Sequence, residues 1–204
     1  GQLSISYTQG ADEVVLQGRA EYEVSRDKGE SKAGTDTNEG DAELRYTRAL
    51  GNRLSAYAGT RFNYDTLNKI GTDTFVGSIG LGYDLFQNDS TRFRVSLGPS
   101  VQSTWGGTGC EADPICGQAY PATTARAELQ WNPNSVMKLS VTNDYTGAFS
   151  DGIKTNNVFS VALKIFPMGN ERLFTSLNGQ LIYNELQTPR INNSLSMQVG
   201  VQLD

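Results

Sequence analysis

The chain has 204 residues, 37% of them hydrophobic, and a formal net charge of -5. Its pI is near 4.8 and its mean hydropathy is -0.42. The acidic balance argues against nucleic acid or anionic phospholipid as the main partner, since both are bound through basic patches. The absence of histidine removes Ser-His-Asp triads, His-ligated metals and imidazole acid-base pairs.

No apolar run approaches the ~18 residues that a spanning helix needs. Low mean hydropathy does not exclude a membrane barrel, whose strands are apolar only at every second residue. A short opening strand is expected at Leu3–Tyr7. From Val14 the chain alternates, with Val14, Leu16, Gly18, Ala20, Tyr22 and Val24 on one face and Gln17, Arg19, Glu21 and Glu23 on the other. That period of two is the signature of a strand with two unlike faces.

Ala42, Leu44 and Tyr46 then alternate with Glu43, Arg45 and Thr47, and after the turn signal ALGNR come Leu54, Ala56, Ala58, Thr60 and Phe62. This reads as a hairpin. Phe75 to Leu85 follow at every second position, then a turn at QNDS, then Phe93, Val95, Leu97, Pro99 and Val101 against Arg92, Arg94, Ser96, Ser100 and Gln102. Pro99 lacks a ladder donor and is expected at an edge or a bulge.

Beyond a cysteine-containing segment, Ala125, Ala127, Leu129 and Trp131 oppose Arg126, Glu128 and Gln130. A turn at NPNS leads to Met137, Leu139 and Val141 against Lys138, Ser140 and Thr142. The last alternating segments carry Phe159 to Ile165, Leu173 to Tyr183 and Leu195 to Leu203. No linker or composition shift divides the chain, so one domain spanning 1–204 is expected.

Short connections (ALGNR, QNDS, NPNS, PMGNE) take turns with long polar ones. Outer-membrane barrels have this asymmetry, with tight periplasmic turns and longer extracellular loops. Tyr46, Phe86, Trp131 and Phe166 fall by the short turns, and Phe62, Tyr64, Phe75, Trp105, Tyr145 and Tyr183 toward the long loops, as two interfacial girdles would require. On the polar parity, Arg19, Arg45, Arg61, Arg92, Arg94, Arg126, Lys138 and Lys164 share space with Glu21, Glu23, Glu43, Asp84, Glu128 and Asp144. The mixture suits a lumen filled by paired charges.

Cys110 and Cys116 lie in TGCEADPICGQ, a segment able to fold back on itself. A local disulfide is expected, implying an oxidising compartment such as the periplasm or cell exterior. A metal-binding pair is the weaker alternative, since no further Cys or His accompanies them. No export leader stands at Gly1, so an exported protein would be in its mature form.

The segments GQLSISYTQG, IGLGYDLF and FRVSLGPSV carry a family resemblance, through Leu3, Ser4, Tyr7, Gly80, Gly82, Tyr83, Gly98 and Pro99. Through these the chain resembles the salt-stress-induced outer-membrane proteins, the YdiY-like barrels of unassigned function. The resemblance implies an envelope barrel and brings no catalytic residues. The chain departs from the family in lacking the Thr-Ser-Gly-Asn type turn after the first strand, and in ending on Asp204 where such barrels finish on an aromatic.

Arg92 and Arg94, with Arg61 and Arg126 on neighbouring strands, suggest either an anion-selecting stripe or arginines neutralised by carboxylates across the strands; we favour the second. The acidic segment Asp27 to Asp41 and DGIKTNN match no calcium-loop spacing and read as solvated loops. The glycines of GSIGLGYD are not followed by a helix and read as relief where a strand bends, not as a phosphate loop.

The expected architecture is an all-β, antiparallel, up-and-down transmembrane barrel of twelve strands, with ten as the alternative. Eleven segments are visible, an even number is required, and the orientation of the first turn favours one more strand upstream. The expected function is non-enzymatic: a structural barrel or narrow small-solute channel of the Gram-negative outer membrane. It would be surrounded by lipid and lipopolysaccharide and would need no cofactor or metal. Two alternatives are a surface barrel binding a partner through its long loops, and a secreted soluble β-sandwich or lipocalin-like binding protein.

Overall fold

The computed structural model describes residues 1–25, 34–114, 116–147, 155–167, 173–185 and 191–201. Eleven strands form a single sheet whose spatial order is the sequence order. They are β1 (Gln2–Gln9), β2 (Asp12–Ser25), β3 (Gly34–Ala49), β4 (Leu54–Asp65), β5 (Asp73–Gln87) and β6 (Thr91–Trp105), then β7 (Ala119–Asn134), β8 (Met137–Gly147), β9 (Asn156–Ile165), β10 (Leu173–Asn184) and β11 (Ile191–Val201). Every neighbouring pair is antiparallel. The described helical structure is one 3-10 turn, Cys110–Ala112, and among the described residues no helix is long and apolar enough to cross a membrane.

The short turns are set by local chemistry. Gly10 takes a φ of 61° between β1 and β2, a conformation that costs glycine little. The Asn88 side-chain oxygen accepts from the Ser90 and Thr91 amides, at 3.0 and 2.7 Å. Asn134 does the same for Val136 and Met137, both at 2.9 Å. Asparagine thus mimics a backbone turn at both hairpins, which explains how QNDS and NPNS reverse the chain.

Alternating residues are segregated in the reverse of the sense found in a soluble core. Along β6, Arg94, Ser96, Gly98, Ser100, Gln102 and Thr104 are buried, while Leu97, Pro99 and Val101 between them are exposed. Thr74 is 0% exposed and Gln102 1%, whereas Leu97 and Ile79 are each 61% exposed. A sandwich or lipocalin-like calyx would put apolar side chains inside, so this pattern opposes the soluble alternative.

The sheet curls until its polar face meets itself. Arg61 on β4 reaches Asp144 on β8 at 2.6 Å, and Asn184 on β10 donates to Thr74 on β5 at 3.4 Å. Arg19 on β2 bonds Ser194 on β11. Such bonds between strands far apart in the sheet order require a barrel-like wall. Among the described residues β1 and β11 are each paired on one side only, so the sheet has eleven strands, one more than the ten-strand alternative.

Pro99 lies in the interior of the sheet and not at an edge, because β6 sits between β5 and β7. The ladder to β5 runs to Ser78↔Ser100 and resumes at Leu81↔Leu97. The ladder to β7 continues through Pro99↔Thr123. The missing proline donor is accommodated by that gap, where Gly80 and Gly98 come together so closely that a Cβ on Gly98 would stand 2.6 Å from the Gly80 Cα. These glycines serve close approach of two backbones, a sharper role than strand bending.

Two long connections are knit together at the opposite end from the short turns. The Gly71 amide donates to the Gly106 carbonyl at 2.9 Å, and the Gly109 amide to the Lys69 carbonyl at 2.7 Å. Cys110 and Cys116 form the expected disulfide within the β6–β7 connection. Of the acidic segment Asp27 to Asp41, 27–33 lie outside the described residues, as do 151–154 of DGIKTNN, the end of PMGNE and the terminal 202–204; Gly34 to Asp41 form the first part of β3, a strand and not the solvated loop expected there.

Candidate functional site: a charge-crossed lumen

The inward parity of each strand delivers polar side chains into one enclosed space, the lumen. Across its middle lies a four-residue network. Arg61 donates to Glu43 at 3.1 Å and to Asp144 at 2.6 Å. Arg126 bonds Glu43 and stands 3.6 Å from Asp144. Two guanidiniums and two carboxylates from β3, β4, β7 and β8 therefore neutralise one another across the interior, where each lone charge would be costly.

Toward the short turns, Asp84 holds two arginines. Arg92 reaches it through two bonds of 3.0 Å, and Arg94 through bonds of 2.8 and 3.2 Å. A bulge between Asp84 and Phe86 brings Phe86 opposite Phe93, turning the aromatic outward beside the Asp84 cluster. Arg45 has no ion pair among the described residues. Its guanidinium stacks on Tyr57, 4.0 Å from the ring centre, and donates to Ser96 at 3.3 Å.

Toward the long loops, Arg19 is paired with Glu39 at 3.0 Å and Asp41 at 3.3 Å. Beneath the knitted loops the filling is uncharged: Thr74 and Thr104 share a 3.3 Å hydrogen bond and Asn184 joins them. The Gln102 amide is buried beside them with neither polar atom bonded to protein. A cavity of about 390 Å³ runs from Arg19 and Asp41 past Glu43 and Arg126 to Arg92 and Lys164.

Of the ten charged lumen candidates, Arg19, Glu43, Arg61, Arg92, Arg94 and Arg126 bond carboxylate or guanidinium partners in this interior. Glu128 stands 3.8 Å from Arg126 and accepts from Gln130 at 2.6 Å. Glu21 departs from the expectation: it is solvent-exposed, opposite Glu39 in the ladder, where the wall rises past the packed interior. Lys138 shares the inward face with Phe166, over whose ring its ammonium sits, but it faces Lys164 across β8 and β9 and not an acid.

Among the aromatics, Tyr46, Phe75, Phe86, Trp105, Trp131 and Tyr145 are exposed on the outer face. Phe62 packs on Trp105 at 6.1 Å between ring centres, and Tyr183 is half-buried. Phe166 is a correction. It is 0% exposed, because the residue after Ile165 falls on the inward parity and its ring lies against Phe174, 5.9 Å away, and under the Lys138 ammonium.

Sequence reasoning did not single out Asp84 and Asp144 as anchors, nor the neutral layer of Thr74, Gln102, Thr104 and Asn184. Parity alone would have put all of them inside. Their partners lie across the lumen and depend on the curl of the sheet. No group of three potential metal ligands occurs among the described residues.

A curled antiparallel sheet with an apolar exterior and a charge-crossed interior defines the protein as barrel-like. The chain belongs to the family described as protein of unknown function, DUF481, which matches residues 1–202. No curated protein and no solved structure matches the chain.

Proposed function

We propose that this protein is an outer-membrane β-barrel of a Gram-negative envelope, without enzymatic activity, whose lumen is plugged by its own side chains. The observation that carries the reading is the inverted burial: threonine, glutamine and paired charges inside, leucine, isoleucine and valine outside. Only an apolar surrounding rewards that distribution. On β6 the apolar stretch Phe93–Val101 rises ~26 Å along the strand, or about 20 Å at a tilt near 40°, close to the ~25 Å apolar band of such barrels. Lipid and lipopolysaccharide are then its surroundings, and its role is structural, with solute passage limited to what a shift of the plug admits.

A closed wall would need an even strand count. β1 and β11 run the same way, so pairing them directly would make a parallel seam; one further strand antiparallel to both gives the even count of twelve. Within the family, we place the chain with the salt-stress-induced, YdiY-like barrels on the residues quoted for that resemblance. A second reading, recognition of a partner by the outer loops, is favoured by the disulfide and the hydrogen bonds that hold two of them together.

The test is folding in non-ionic detergent followed by gel mobility with and without heating, and conductance in planar bilayers. The expected result is a heat-modifiable band and no steady open-channel current. A chain that stays soluble and monomeric without detergent would sink the membrane reading, and a stable large conductance would sink the plug.

A further inference from the structure

The short-turn end of the lumen carries positive charge that its own carboxylates do not balance. Lys138 and Lys164 stand directly opposite each other in the β8–β9 ladder, an arrangement that like charges disfavour. Among the described residues neither has an ion pair. Each ammonium instead sits over a phenyl ring, Lys138 at 4.9 Å from the Phe166 centre and Lys164 at 4.8 Å from that of Phe174. The two rings lie against each other, 5.9 Å between centres and tilted by 55°.

The surrounding charges sharpen the imbalance. Arg92 and Arg94 share the one carboxylate of Asp84. Together with Lys164 they line the 390 Å³ cavity, whose walls hold six basic side chains against four carboxylates. Of those four, Asp41 is engaged by Arg19 and Glu43 by Arg61 and Arg126. Glu128 lies near Arg126, and Glu13 lies on the β2 wall. Neutral donors are in place as well: buried Ser176 is opposite Lys164, Asn178 bonds Ser176 at 3.0 Å, and Ser140 and Asn178 line the cavity.

We propose that this end of the lumen binds a small soluble oxyanion, a phosphate or a carboxylate, held in the cavity by Lys164 and Arg92 with Ser140 and Asn178 beside it, while Lys138 adds its charge from directly opposite Lys164 in the β8–β9 ladder. The anion removes the repulsion between the two ammoniums and supplies the charge that the wall lacks. The site goes beyond the plugged-barrel reading and does not depend on a bilayer, since the cavity belongs to the interior of the sheet.

Calorimetric titration of the folded protein in maltoside detergent at low ionic strength, with inorganic phosphate and separately with succinate, tests this. Saturable one-to-one binding of at least one of them is expected. K138Q or K164Q should weaken it about tenfold, as loss of a charge-assisted bond does, while R48Q, at an exposed arginine outside the lumen, leaves it unchanged. Gel mobility before and after heating confirms that each variant is folded. A second readout separates binding from a structural role: without anion K164Q should raise the unfolding midpoint, and phosphate should raise that of the unsubstituted protein but not of K164Q. No saturable binding of either anion, binding changed less than twofold by both lysine variants, or binding lost in R48Q would each overturn the site. Binding by a protein that needs no detergent would refute the membrane reading and leave the site standing.

Discussion

The central network offers the most quantitative prediction. Glu43 accepts from both Arg61 and Arg126, yet each guanidinium also has Asp144, at 2.6 and 3.6 Å. Glu43→Gln removes one charge and keeps the shape, leaving two cations on one carboxylate. Charge-assisted bonds contribute ~1.5–3 kcal/mol each and an amide replaces part of that, so the single change should cost about 2 kcal/mol. Asp144→Asn should cost a similar amount. In the double variant Arg61 loses both its carboxylates and Arg126 keeps only Glu128, at 3.8 Å, and the cost should exceed the sum of the singles, because uncompensated buried charge costs ~3–5 kcal/mol. Urea unfolding in detergent, followed by heat-modifiable mobility, gives all four corners of the cycle. A double variant within about 1 kcal/mol of the unsubstituted protein would refute the claim that these four residues form one buried unit.

Other expected outcomes test other parts of the structure. Leu97→Arg, at an exposed outward position in mid-strand, should destabilise by ~2–4 kcal/mol in a bilayer; a change within ~0.5 kcal/mol would mark that face as ordinary water-exposed surface. Gly98→Ala would place a Cβ 2.6 Å from the Gly80 Cα and 2.7 Å from the Ile79 carbonyl carbon, and overpacking of this kind should cost ~1–3 kcal/mol in the same unfolding assay. Replacing Cys110 and Cys116 by serine opens a loop with a sequence separation of 6, worth about 2 kcal/mol by chain entropy. Proteolysis should then cut the β6–β7 connection faster, while heat-modifiable mobility persists.

The sheet was legible in the sequence because its two faces meet unlike surroundings, so a period of two survives in nearly every strand. Arg92, Arg94 and Arg126 could be assigned to the interior from parity alone, and Cys110 and Cys116 to each other from proximity. Parity names a face, however, and not a partner. That Arg61 meets Asp144, or that Asn184 meets Thr74, depends on how tightly the wall curls, and Lys138 opposite Lys164 depends on register between strands. Phe166 escaped for a related reason: alternation assigns residues within a strand, and this one follows the end of β9, where a single step changes the face. Pro99 was readable as a break in a ladder but not as one placed in the middle of the sheet.

The two tryptophans permit the most direct test of the membrane assignment. Trp105 ends β6 beside the long loops and Trp131 lies on β7 near the short turns, both on the outer face. Single-tryptophan variants folded into vesicles containing brominated lipids report the depth of each ring by fluorescence quenching. The barrel predicts that both are quenched, each most strongly by bromines near the headgroups, with an aqueous quencher added outside the vesicles reaching only one of the two. Equal access of both tryptophans to the aqueous quencher, with no quenching by brominated lipid, would contradict it.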